Sequence, residues 1–157
     1  MTAQLGFGST LALLIVLTSA PAKAQEGAGP SARAFHYARI YADSTGASHF
    51  SDEEMPLARV DFAPPLPPVA ATRPIAAANF VVVSVPSGSK ADWHPVPRRQ
   101  VNVILSGEVE IEVSDGEARR FGPGSWILGE DTWGSGHITR VVSAEAVSFV
   151  VLTLAAQ

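Results

Sequence analysis

The side chains best suited to chemistry gather in one stretch, Gly88 to His137, which holds two of the four histidines and all three tryptophans of the 157-residue chain. His94 and His137 supply imidazoles, groups that carry protons near neutral pH and bind first-row metals. Trp93 and Trp133 flank them and are candidates for a pocket wall, with burial in the core as the plainer use of a tryptophan. Arg98 and Arg99 stand just before Gln100. A guanidinium at a pocket mouth would grip a carboxylate-bearing ligand bidentately, whereas pairing with surface acids such as Asp92 is its ordinary role. Glu130 and Asp131 add carboxylates near His137. His36 and His49 stand apart from this stretch and are assigned no role.

Several chemistries are excluded. The chain has no cysteine, which removes disulfides, thiolate zinc sites, a cysteine nucleophile and a lipoprotein anchor. No G-x-S-x-G elbow, phosphate loop or dinucleotide fingerprint is present. Ser135 beside His137 is no hydrolase signal, because a triad is assembled by the fold and not by neighbours in sequence. With a net charge of −4 and no basic stripe, nucleic acid is a poor partner.

Strands must position these residues. Glu108–Val113 alternates strictly, with Val109, Ile111 and Val113 on one face and three glutamates on the other, the period of a sheet with one dry and one wet side. Asp115-Gly116 follows as a hairpin turn. Phe35–Ala42, Ala47–Phe50, Leu57–Phe62, Asn79–Val85, Val101–Leu105, Ala118–Phe121, Trp126–Leu128, Ile138–Val142 and Val147–Leu154 read as further strands. No long stretch has helical periodicity, and the chain is expected to be all-β. If Gln100 faces inward, Asn102 and Ile104 do too, placing two carboxamides over an apolar floor. Val101, Val103 and Leu105 then face outward and need a cover, from N-terminal strands or a second subunit.

Residues 1–24 are expected to be a cleaved export signal: the apolar run Leu11–Leu17 leads to Ala22-Lys23-Ala24, a small-x-small cleavage pattern, and is too short to span a bilayer. This predicts a periplasmic or secreted protein with no membrane anchor after cleavage. Residues 25–34 are expected to be a disordered lead-in, and 35–78 a β arm whose Pro64–Pro68 run crosses the surface as an extended connection. The barrel proper is expected over 79–157.

The glycine and histidine spacing resembles the cupin superfamily, over roughly residues 79–154. In its first motif, G-x5-H-x-H-x3-4-E-x6-G, this chain has Gly88, His94, Val96 in place of the second histidine, Gln100 in place of the glutamate, and Gly107. In its second, Pro123-Gly124 opens the motif, Thr132 stands for the proline, Gly134 and His137 are kept, and Val141 replaces the asparagine. The resemblance implies a single cupin-type jelly-roll β-barrel with an N-terminal extension, pairing as a homodimer. It implies a site of His94, Gln100 and His137 that holds one divalent metal (iron, manganese, nickel or zinc) or none, with Asp131 or Glu130 able to restore the missing carboxylate. Asn102, Arg98, Trp93, Trp133 and Asp131 are the expected ligand-binding residues. Three readings stay open: a barrel binding a small molecule, anionic if Arg98 reaches it; a metal-dependent dioxygenase or isomerase; and a structural or interaction barrel.

Overall fold

The computed structural model describes residues 34–156, so the expectations for the leader and for most of the lead-in lie outside the described residues. Twelve strands and no helix make up the described chain: β1 (Phe35–Ala42), β2 (Ser48–Met55), β3 (Ala58–Val60), β4 (Val69–Ala71), β5 (Ala77–Val85), β6 (Lys90–His94), β7 (Gln100–Ser106), β8 (Val109–Val113), β9 (Ala118–Phe121), β10 (Trp126–Glu130), β11 (His137–Val141) and β12 (Val147–Leu154). They form a six-stranded sheet in the order β2-β1-β10-β7-β12-β5, a four-stranded sheet β6-β11-β8-β9, and a separate β3–β4 pair. Every pairing is antiparallel except β1 with β10.

The core lies between the two large sheets. Strand β8 shows how sequence period becomes packing: Val109, Ile111 and Val113 are buried, while the alternate Glu110 and Glu112 stay outside and pair with Arg140 across β11. The facing wall comes from Ala38 and Ile40 of β1, Ile104 of β7 and Ile127 of β10. Burying each such branched side chain stabilises the fold by about 1.5–3 kcal/mol.

Residues 35–55 are not an arm beside the barrel. β1 is inserted in the large sheet against β10, with Ala38 opposite Ile127 and Ile40 opposite Gly129, so the barrel begins at Phe35 and not at residue 79. The apolar side chains of β1 could be satisfied only by the interior, a tertiary demand that local pattern does not reveal. The Pro-rich run is exposed and joins β3 to β4 as a hairpin arm, with Phe62 and Leu66 largely exposed. β6, hidden in sequence between Gly88 and Pro95, is an additional strand at the edge of the small sheet.

Candidate functional site

Between the sheets lies a cavity of about 290 Å³. Its floor is apolar, built from Ile40, Ile104, Ile111, Ile127, Val147 and Phe149. Its polar groups are His94, His137, Gln100 and Asn102, with Ser89 added from just before β6 and Thr139 from β11. The alternation along β7 holds: Gln100, Asn102 and Ile104 all reach the cavity, Val101 is buried on the other face, and Leu105 is half exposed there. Thr139 follows from the same rule, two residues beyond His137 on one strand face.

His94 ends β6, His137 begins β11, and the two are register partners. Their ring centroids lie 4.7 Å apart at an interplanar angle of 51°. His94 Nδ1 is 2.6 Å from the carbonyl oxygen of Asp92. A carbonyl only accepts, so Nδ1 carries the proton and, in the neutral ring, Nε2 keeps the lone pair. His137 Nδ1 lies 2.6 Å from Asp131 Oδ2, and Asp131 is fully buried. An ionised Asp131 fixes the same tautomer there. Two Nε2 acceptors are thereby presented to one cavity. The other carboxylate oxygen of Asp131, Oδ1, is buried without a partner among the described residues.

The loop before β11 is held tightly. Ser48 Oγ donates to the carbonyl of Gly136 at 2.5 Å, and the Ser135 amide donates to the carbonyl of Gly46 at 2.9 Å. Gly136 has φ +67°, and a Cβ there would strike the backbone carbonyl of His94. Glycine is thus demanded by both conformation and close approach, and it lets the two histidine strands meet. Val96, standing where the motif has its second histidine, packs at 2.9 Å from the Cβ position of Gly129 and closes that side of the cavity with methyl groups.

Several expected residues lie elsewhere. Trp93 is half exposed and outside the cavity lining, because the strand period that turns His94 inward turns its neighbour outward. Trp133 is half exposed in the loop before β11, resting on Gly46. Arg98 is exposed and does not line the cavity, since the chain bends at Pro97 and Arg98 and loses the strand alternation. Arg99 and Arg39 both bind Glu130 on the outer face. Burial pushes the Glu130 carboxyl up, but the hydrogen bonds and charges of the two arginines outweigh it and leave it below its ordinary value. Lys90 touches the rim, yet its Nζ is 2.7 Å from exposed Asp92. Asp131 acts from behind His137 and does not line the cavity.

Catalytic zinc sites offer three protein ligands, in many cases with a carboxylate among them. The cavity offers two imidazoles, two carboxamides and no carboxylate, and among the described residues no group of three or more histidine, aspartate or glutamate side chains is placed to hold an ion. Gln100 Nε2 lies 3.3 Å from Asn102 Oδ1, so the two carboxamides engage each other. The donors present are fewer and more neutral than such sites usually offer, so a metal here would have to complete its shell from the bound molecule or water.

No family model matches the chain, and no curated protein matches it. Among solved structures it is similar to a conserved Streptococcus pyogenes protein of unknown function, 24% identical, with 50% of this chain and 64% of that one covered and a TM-score of 0.37. It is similar to the DMSP lyase DddQ of Ruegeria pomeroyi, 24% identical over 48% of this chain and 37% of that one, with a TM-score of 0.41. A Cupin 2 conserved barrel domain protein of Salinispora arenicola is 20% identical, with 65% and 76% covered and a TM-score of 0.42. The chain thus spans less than two thirds of the first two proteins. Its own two facing sheets, with positive-φ glycines at the turns and two histidines facing inward, make it an all-β barrel. His94 and His137 line its cavity together with Val96 and Gln100.

Proposed function

We propose that the protein binds a small, largely apolar molecule whose polar head presents hydrogen-bond donors to His94 and His137. The observation that supports this most is the pair of imidazoles with Nδ1 engaged outside the cavity, which leaves two Nε2 acceptors above an apolar floor. A concave, mostly apolar cavity with a few convergent polar groups is the usual form of a small-molecule site. Its volume corresponds to roughly ten waters' worth of space, which suits a compact ligand. Without a guanidinium at the mouth, an alcohol or amine head is favoured over a carboxylate. The leader-like residues 1–24 support an exported protein, a reading that amino-terminal sequencing tests by its expected start at Gln25.

Methyl-resolved NMR with a panel of short-chain alcohols, amines and carboxylic acids tests the binding. Shifts confined to the cavity isoleucines Ile40, Ile104, Ile111 and Ile127, with exposed Ile75 unmoved, are expected for alcohols or amines and lost in His94→Ala and His137→Ala. No saturable shift at those methyls with any member would defeat the reading. The motif spacing favours a second reading, a divalent metal bound by His94, Gln100 and His137 with donors borrowed from the ligand. Near-stoichiometric iron, manganese, nickel or zinc in protein purified without chelator, and its loss in His94→Ala, would replace the first reading with this one.

A further inference from the structure

The cavity is polar at two depths. The first tier is His94 and His137, which are register partners, with Gln100 beginning β7 a short connection after His94. The starts of β7 and β11 therefore lie at one end of the barrel. A step of two residues along either strand stays on the same face and leads away from that end by about 6.6 Å. That step reaches Asn102 on β7 and Thr139 on β11, both half-buried and both lining the cavity. The next step along each strand is apolar, to Ile104 and Val141.

The two tiers differ in hydrogen-bonding sense. Gln100 Nε2 donates to Asn102 Oδ1 at 3.3 Å, so Asn102 uses its acceptor within the protein and keeps its Nδ2 hydrogens free. No described residue bonds the Thr139 hydroxyl: its register partners are Ala91 on one side and Ile111 on the other, both with apolar side chains. The register also shifts between His137 and Thr139, and the small, exposed Ala91 leaves the space beside the hydroxyl open. The first tier accepts through two Nε2 lone pairs, whereas the second has donors to offer. Buried polar groups are normally partnered, and here the partner is left to the molecule in the cavity.

We infer that this molecule is bifunctional: a donor head sits at His94 and His137, and an oxygen about four carbons further along, a length that spans one tier spacing, accepts from Thr139 and Asn102. The inference rests on the small-molecule reading above and names its ligand class as short diols, amino alcohols and hydroxy-carbonyl compounds, in place of simple alcohols and amines. Thr139 is then a specificity-determining residue. A ligand without the second oxygen leaves both donors unpaired, and a site built to bond a polar group discriminates against the analogue that lacks it.

Two isomers of butanediol isolate the spacing, one with a hydroxyl at each end and one with its hydroxyls on adjacent carbons. Both can place a hydroxyl at the histidines, but only the terminal isomer carries the second one to Thr139. Titrated into the full chain and followed at the cavity isoleucine methyls, the terminal isomer is expected to bind about fivefold tighter, the gain of one more neutral hydrogen bond. Thr139→Val keeps the shape of the side chain and removes its hydroxyl, and it is expected to bring the ratio of the two dissociation constants to about one. Thr139→Ser is expected to preserve the wild-type ratio. A wild-type ratio near one, with butanol or butylamine still moving the methyls, would overturn the inference and leave the small-molecule reading standing. A preference that persists undiminished in Thr139→Val would overturn it too, by removing Thr139 from the recognition. Methyls unmoved by all of these compounds would overturn the inference and the reading beneath it together.

Discussion

His137 and His49 are both bound to an aspartate through Nδ1, and they differ at Nε2. His137 Nδ1 lies 2.6 Å from Asp131, and His49 Nδ1 lies 2.7 Å from Asp115. The second nitrogen of His49 goes to Asp43 at 3.1 Å, whereas no described residue bonds that of His137, whose ring lines the cavity. His49 therefore has no atom left for a ligand. It ties the turn after β1 to the turn after β8, and the first of these turns in turn holds the loop of His137 through Gly46. The same pair of residue types faces a cavity in one place and makes a fastening in the other. What separates them is one uncommitted nitrogen.

Substitutions can break this contrast at several depths. The largest effect is expected for Gly136→Ala, which drives a Cβ into the His94 backbone and forces a non-glycine residue to φ +67°. A loss of about 4 kcal/mol or more is expected in urea unfolding, in the range reserved for backbone clashes and buried strain. Next comes Asp131→Ala, which leaves the buried His137 Nδ1 without its acceptor and should cost about 2–3 kcal/mol. An unchanged urea midpoint for that variant would mean that the buried pair does not hold His137 in place. His94→Ala and His137→Ala are expected to weaken ligand binding by about tenfold or more, as loss of a charge-assisted or fixed hydrogen bond does. His49→Ala should leave the same NMR titration unchanged. Equal effects of all three on binding would erase the distinction drawn here.

The smallest effect is in pH. Hydrogen bonds to Asp43 and then Asp115 raise the His49 pKa above its ordinary value, against a small opposing effect of burial. The Thr45 hydroxyl and amide, with His49, lower that of Asp43. The Glu117 amide leads in lowering that of Asp115, and His49 adds to it. A raised histidine contributes stability that is complete below its unfolded pKa of about 6.5 and is lost as pH rises through the folded value. The lowered aspartates contribute above their unfolded pKa of about 4 and lose it on acidification. The fastening is therefore strongest in mildly acidic solution. Wild type minus His49→Gln should show a melting-temperature difference of about 2–4 °C near pH 5.5 that shrinks toward pH 8.5. A difference constant across that range would show that His49 acts by packing alone.

The pattern of the chain carried the strands further than it carried the site. β8 and the inward row of β7 were legible because a two-residue period is a local property, visible in Val109, Ile111 and Val113 and in Gln100, Asn102 and Ile104. His94 and His137 were legible because turn glycines fix their spacing. Arg98 and Trp93 were misplaced by the same local logic: one bend at Pro97 ends the alternation, and Trp93 falls on the face opposite His94. Asp131 as the acceptor behind His137 and His49 as a fastening were not legible, since each depends on which turns the fold brings together. His49 and Asp115 are 66 residues apart. The insertion of β1 was hidden for the same reason.

That insertion has a consequence for how the chain reaches its native state. Ala38 pairs with Ile127 and Ile40 with Gly129, partners close to ninety positions apart, and the strands run in the same direction. The large sheet cannot be completed until nearly the whole chain is available, and contacts between distant segments form slowly. A polypeptide made from its N-terminus therefore keeps β1 waiting for β10.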